Sequence, residues 1–77
     1  MEWIIKEGKL ISTFVFKSQT ELAEFILKIA KQADEINHHP DYKVFKAFTL
    51  EVSLFTYDKN AITELDYNLA NFISDSY

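Results

Sequence analysis

His38 and His39 are adjacent, they are the only histidines of the 77-residue chain, and its only proline, Pro40, follows them directly. Imidazole is the side chain whose ordinary pKa places its charge change near neutral pH, so that chemistry is concentrated at one backbone break. Proline disfavours helical geometry in the residue before it, which predicts an extended His39 and a preceding helix that ends near Asn37 or His38. Consecutive side chains diverge at such a terminus. Two imidazoles can then meet one ligand from different directions, one taking a proton while the other gives one. The alternative is a pair of solvated polar residues in a turn. Which imidazole is acid and which is base depends on tautomer and ring orientation, which the order of residues does not carry.

Two carboxylates are candidates to support the pair. Asp34 lies four residues before His38, close enough on one helix face to orient or charge-stabilise that imidazole, or else simply to solvate the surface. Asp66 stands three residues after Thr63, a helix-capping pattern that also suits the helix dipole, and capping does not exclude a place at the edge of a site. Adjacent histidines rarely hold one ion without a well-placed third ligand such as Asp34, so a metal site is not expected.

The elements that position these groups follow from apolar periodicity. Residues 2–6 and 10–16 are β-branched and aromatic runs separated by Glu7-Gly8-Lys9, which reads as a hairpin whose turn uses the sole glycine. Ser18-Gln19-Thr20-Glu21 has the form of a capping box, and a helix starts there. Leu22, Phe25, Ile26, Ile29, Ala33 and Ile36 recur at three- and four-residue steps and form one apolar stripe that ends beside the histidines. Residues 42–57 predict a long strand, or two strands with a turn near Lys46-Ala47, in which Phe48, Leu50, Val52 and Leu54 alternate with Thr49, Glu51, Ser53 and Phe55. Asp58-Lys59-Asn60 ends it. A closing helix carries Leu65, Leu69, Phe72 and Ile73, with Ile62 and Tyr67 placed to form a staple around its start. The order β-β-α-β-β-α predicts an α+β fold: one domain over residues 1–77, with two helices on one face of a four-stranded, mostly antiparallel sheet.

Composition narrows the functions open to such a domain. The chain is 48% hydrophobic and 16% aromatic with one Gly and one Pro, which is a globular composition. Eight basic against twelve acidic residues leave a net charge of -4, so no general field attracts phosphate backbones or anionic lipid, and neither direct nucleic-acid binding nor membrane association is expected. The absence of cysteine removes disulfides and thiolate nucleophiles together. The first residues lack a basic region and a long apolar run, which makes a cytoplasmic address the expectation.

Asp34-Glu35-Ile36-Asn37-His38-His39-Pro40-Asp41-Tyr42 and the later Asp66-Tyr67-Asn68-Leu69-Ala70 resemble the pterin-4a-carbinolamine dehydratases. That family carries an acidic residue four places before His-His-Pro, a third histidine at the end of a strand, and an aspartate opening the last helix. The resemblance runs from Trp3 to about Ile73. Two departures stand out: Tyr57 of Thr56-Tyr57-Asp58 falls where the family has its third histidine, and the chain opens directly on its first strand, so the family's N-terminal helix is expected to be absent. The resemblance implies a hydro-lyase, a 4a-hydroxytetrahydrobiopterin dehydratase of tetrahydrobiopterin recycling that needs no metal or organic cofactor. It implies catalysis by His38, His39, Asp34 and Tyr57, with Asn37, His38, His39, Pro40, Thr56, Tyr57, Asp58 and Asp66 contacting a pterin substrate. It also implies a homodimer or homotetramer, for which Ile11, Val15 and Phe55 on the helix-free face supply apolar surface. Members of the family also act as dimerisation cofactors of a homeodomain transcription factor, so a non-catalytic pterin-binding or protein-protein adaptor is the alternative.

Overall fold

A computed structural model describes residues 2–77. Strands β1 (Ile4–Lys6) and β2 (Lys9–Val15) pair antiparallel around Glu7-Gly8, whose φ angles are 53° and 80°. Two successive left-handed residues give the twist that a two-residue hairpin requires. The turn is therefore shorter than expected, and Lys9 belongs to β2.

Helix α1 (Gln19–Ile36) begins as its capping pattern predicts, with the Glu21 N–H donating to Ser18 Oγ at 3.1 Å. The Glu21 carboxylate reaches past the cap and accepts from the Lys17 N–H at 3.2 Å. Leu22, Phe25, Ile29 and Ala33 form the buried stripe, Ile26 packs beside it, and Ile36 is exposed in the last turn. There Asn37 takes a left-handed conformation with φ 52°. The Asn37 N–H donates to the Asp34 carbonyl at 3.3 Å and the His38 N–H to the Ala33 carbonyl at 3.0 Å. These bonds close a Schellman-type end, which turns the backbone away from the helix axis.

Strands β3 (Asp41–Phe45) and β4 (Thr49–Leu54) follow, joined by residues 46–48, and helix α2 (Glu64–Ser76) closes the chain. The sheet order is β1-β2-β4-β3 and every pairing is antiparallel, where a mostly antiparallel sheet was expected. Leu10 pairs with Leu54, Ser12 with Val52 and Phe14 with Leu50, so one face of the two central strands lies in the core. Leu22, Phe25 and Ile29 of α1 and Leu69, Ala70 and Ile73 of α2 join the same cluster, which places both helices on that face.

The buried side of α2 is Asp66, Leu69, Ala70 and Ile73, while Leu65 is exposed. The stripe is thus rotated by one residue from the apolar pattern, because Asp66 has polar partners inside. Phe48 also departs from expectation: it is exposed in the β3–β4 turn rather than alternating with the core residues of β4. On the helix-free face Val15 is exposed, and Ile11 and Phe55 are half-buried. Among the described residues no helix is long and apolar enough to cross a membrane.

Candidate active site

The two histidines enter the site from the segment that links α1 to β3. Because the Schellman end reverses the chain at Asn37, His38 leaves the helical face that carries Asp34 and turns toward α2. Its Nε2 lies 2.6 Å from Asp66 Oδ1, and its side chain is 10% exposed against 0% for Asp66. Asp34 pairs instead with His39, whose Nε2 lies 2.9 Å from Asp34 Oδ1 in an exposed pair at 55% and 76%. The expectation that Asp34 orients His38 is corrected here: a helical i to i+4 relation holds only while the helix continues, and it ends between the two residues.

Asp66 is the hub of the buried side. Its Oδ2 accepts from the Thr63 N–H at 2.9 Å and from Thr56 Oγ1 at 2.8 Å. Thr56 and Thr63 join their hydroxyls at 2.7 Å. The carboxylate thus holds the first turn of α2 with one oxygen and His38 with the other, so one side chain caps the helix and meets the imidazole. Buried polar groups at these positions are satisfied by one another. Since donors converge on Oδ2 and the positive end of α2 lies beside it, the group acts as a carboxylate acceptor. His38 then donates from Nε2. In its neutral form that assignment leaves the lone pair on Nδ1, which none of the hydrogen bonds among the described residues engages.

Of the other residues expected in the site, Pro40 is buried and fixes the exit of the histidine segment, while Asn37 is exposed at the helix cap. Thr56 is only 2% exposed and Asp66 fully buried, so the structure gives both a supporting place behind His38 rather than an open surface for substrate. Tyr57 and Asp58 are exposed in the turn after β4. The Tyr57 hydroxyl donates to Asp41 Oδ2 at 3.0 Å and accepts from Lys9 Nζ at 3.1 Å, and its ring meets Phe55 edge-on at 5.0 Å. It forms no hydrogen bond with either histidine, although it falls where the family has its third histidine. The reason lies in the alternation past β4: Thr56 points inward to Asp66, so its neighbour projects outward. The Lys9 amine is raised above its ordinary range, first by the hydrogen bond with Tyr57.

Two features escape sequence reasoning. Thr63 was visible as a cap, but its tie to Thr56 was not. Tyr42, the second residue of β3, buries its hydroxyl without a partner among the described residues. Burial pushes that phenol up to about 12, and the negative charge of Asp34 adds to the shift.

No group of three metal-ligating side chains gathers among the described residues. The two histidines give their Nε2 atoms to different carboxylates. A cavity of about 420 Å³ lined by Phe16, Phe25, Lys17, Lys28 and Tyr77, with Glu21 and Glu24, shares no residue with this site and holds no histidine. What the histidine site offers is one shielded imidazole with a fixed ring and one solvated imidazole beside it, two proton-transfer groups in unlike surroundings.

Comparison with known proteins identifies the family and the fold. Residues 1–76 match the family model described as pterin 4 alpha carbinolamine dehydratase. A protein of Sulfolobus acidocaldarius, provisionally named a pterin-4-alpha-carbinolamine dehydratase, is 41% identical over 73 residues, covering 94% of this chain and 78% of its own. One of Nostoc punctiforme with the same provisional name is 33% identical over 72 residues, covering 94% and 76%. Among solved structures, a transcriptional coactivator/pterin dehydratase from Brucella melitensis superposes with a TM-score of 0.90 at 25% identity, covering 96% of this chain and 80% of that one. A pterin dehydratase-like protein identified as a RuBisCO assembly factor in the alpha-carboxysome shares the fold with a TM-score of 0.75 at 18% identity, covering 97% and 86%.

Proposed function

The chain belongs to the pterin-4a-carbinolamine dehydratase family, and from that premise we propose that it is a 4a-hydroxytetrahydrobiopterin dehydratase serving tetrahydrobiopterin recycling. The reaction removes a ring N–H proton, breaks the C4a–O bond, and releases the hydroxyl as water once it has gained a proton. One base and one acid suffice.

The observation that carries this reading is the 2.6 Å contact of His38 Nε2 with buried Asp66. A carboxylate that accepts from one ring nitrogen fixes the tautomer and stabilises the imidazolium that forms when the other nitrogen takes a proton. His38 is therefore the base, acting through Nδ1. His39 is the acid: its imidazole is solvent-exposed, rests against Asp34, and can exchange its proton with water between turnovers. Asp34 and Asp66 each position one imidazole, and Pro40 holds the short segment that sets the distance between them. Asn37, Tyr57 and Asp58 are the exposed residues left to contact the pterin at the rim. The chain works as a homodimer or homotetramer in the cytoplasm on this reading, with Ile11, Val15 and Phe55 at the subunit contact.

A direct assay of carbinolamine dehydration tests the proposal. The expected result is a rate well above the uncatalysed one that His38→Ala lowers by at least ~100-fold, the usual scale for a general acid or base. Pterin binding without turnover would overturn it. That outcome would favour the second reading, a binding or adaptor module, which the engagement of Tyr57 by Lys9 and Asp41 supports because no third imidazole faces the pair.

A further inference from the structure

We propose that Thr56 and Thr63 are positioning residues for His38, acting through Asp66 to hold its imidazole in the Nε2–H tautomer. The inference deepens the dehydratase reading and rests on it for the effect on rate, but not for the tautomer itself. It starts from the direction of the hydrogen bonds. A hydroxyl has one hydrogen to give. Thr56 gives its own to Asp66 Oδ2 at 2.8 Å, so in the 2.7 Å contact between the two threonines the Thr63 hydroxyl is the donor. The protons then run one way, from Thr63 to Thr56 to Asp66. The Thr63 backbone N–H, which cannot accept, joins Thr56 on the same carboxylate oxygen at 2.9 Å. Oδ2 is thereby kept an acceptor, and Oδ1 is left to receive the Nε2–H of His38.

The backbone is arranged to keep this chain in place. Thr56 sits just beyond β4, where its N–H donates to the Ala61 carbonyl at 3.0 Å and the Ala61 N–H returns to the Thr56 carbonyl at 3.3 Å. That bridge closes the turn that carries the exposed Tyr57 and Asp58. Thr63 is the N-cap of α2, where its hydroxyl joins Thr56 and the Asp66 carboxylate takes the cap N–H. With one side of the turn and the start of the helix both tied to Asp66, the carboxylate has little freedom to rotate. A rotated carboxylate would release Nε2 and admit the other tautomer, in which Nδ1 carries the proton and is no longer a base.

If the threonines merely satisfied buried polar groups, their loss would lower stability and leave the imidazole as it was. The deciding measurement is the ring ¹⁵N spectrum of His38 with the pH dependence of dehydration, in the full chain and in Thr56→Val, Thr56→Ser and Thr63→Val. The expected result is a single Nε2–H form in the parent and a mixture of tautomers in Thr56→Val. Its kcat should fall about 10-fold with KM within about twofold, the scale of lost orientation at a group one contact away from the chemistry. Thr56→Ser should restore the single tautomer and the rate, and Thr63→Val should produce a smaller shift in the same direction. A single unchanged tautomer and pH profile in Thr56→Val overturns the proposal. Should Thr56→Val not fold, Thr63→Val decides alone, because it keeps the backbone donor and removes only the hydroxyl. If the parent itself shows no turnover, the dehydratase reading fails while the ¹⁵N spectra still judge the role of the threonines.

Discussion

His38 Nε2 and Asp66 Oδ1 meet at 2.6 Å although 28 positions separate them in the chain. One partner leaves the end of α1 and the other opens α2, so the contact ties the two helix termini together beneath the segment that carries His39. A buried carboxylate whose partner is removed is left with an unmet acceptor, and that cost exceeds the net value of the bond when it is made.

His38→Ala and His39→Ala should therefore differ in stability even where both reduce dehydration. His38→Ala strands Asp66 and is expected to destabilise by about 1–3 kcal/mol, whereas a solvated side chain such as His39 costs roughly 0.5 kcal/mol or less. Denaturant melts of the two variants check this, and equal midpoints would contradict the buried pairing.

Asp66→Asn replaces one acceptor oxygen by a donor. The amide cannot serve the Thr63 N–H, the Thr56 hydroxyl and the His38 Nε2–H together, so either the helix start or the histidine loses its acceptor. Dehydration is expected to drop by ~100-fold or more, with about 1 kcal/mol or more lost from stability. Kinetics and thermal unfolding on one preparation provide both numbers; a variant that melts early yet turns over normally would separate the cap from the chemistry.

Tyr57→Phe removes the hydroxyl that bridges Lys9 and Asp41. Since that bond is the leading cause of the raised Lys9 amine, the amine should titrate closer to its ordinary range, near about 10.4. Ammonium ¹⁵N titration of Lys9 reads this directly. Dehydration should change less than about twofold on the reading that Tyr57 meets the pterin through its ring while His38 and His39 carry the protons; a larger loss would give its hydroxyl a part in the reaction.

Tyr42 bears on alkaline stability. Its phenol ionises near about 12 in the fold and near about 10 in the unfolded chain. Below pH 10 both states hold the proton and nothing changes. Between those values the unfolded chain sheds its proton first, so stability falls as pH rises through this window. Tyr42→Phe should remove that part of the slope and, by deleting a hydroxyl without a partner among the described residues, leave stability at neutral pH equal or higher by roughly 1 kcal/mol. Chemical unfolding at pH 7 and at pH 11 tests the difference.

Sedimentation at micromolar protein should give a mass of two or four chains. A 77-residue chain is close to the lower size for a self-sufficient core, and apolar contact across the open sheet face would add buried area. A concentration-independent single-chain mass would contradict this.

Periodicity and punctuation alone determine most of the framework. The spacing of Leu22, Phe25, Ile29 and Ala33, the alternation of Leu50, Val52 and Leu54, and the caps at Ser18 and Thr63 define the elements because each is a local pattern with one stable partner surface. His38-His39-Pro40 likewise marks the break after α1 that carries both imidazoles, since proline and imidazole act through properties that need no neighbour. What the tertiary structure decides is who holds whom. A single left-handed residue, Asn37, ends α1 and sends His38 to Asp66 and His39 to Asp34. The burial of Asp66 rotates α2 by one position and draws in Thr56, while strand alternation turns Tyr57 outward to Lys9 and Asp41. These pairings depend on where distant segments are brought together by the packed core, and a hydrogen bond's direction is set by the neighbours it finds there rather than by its position in the chain.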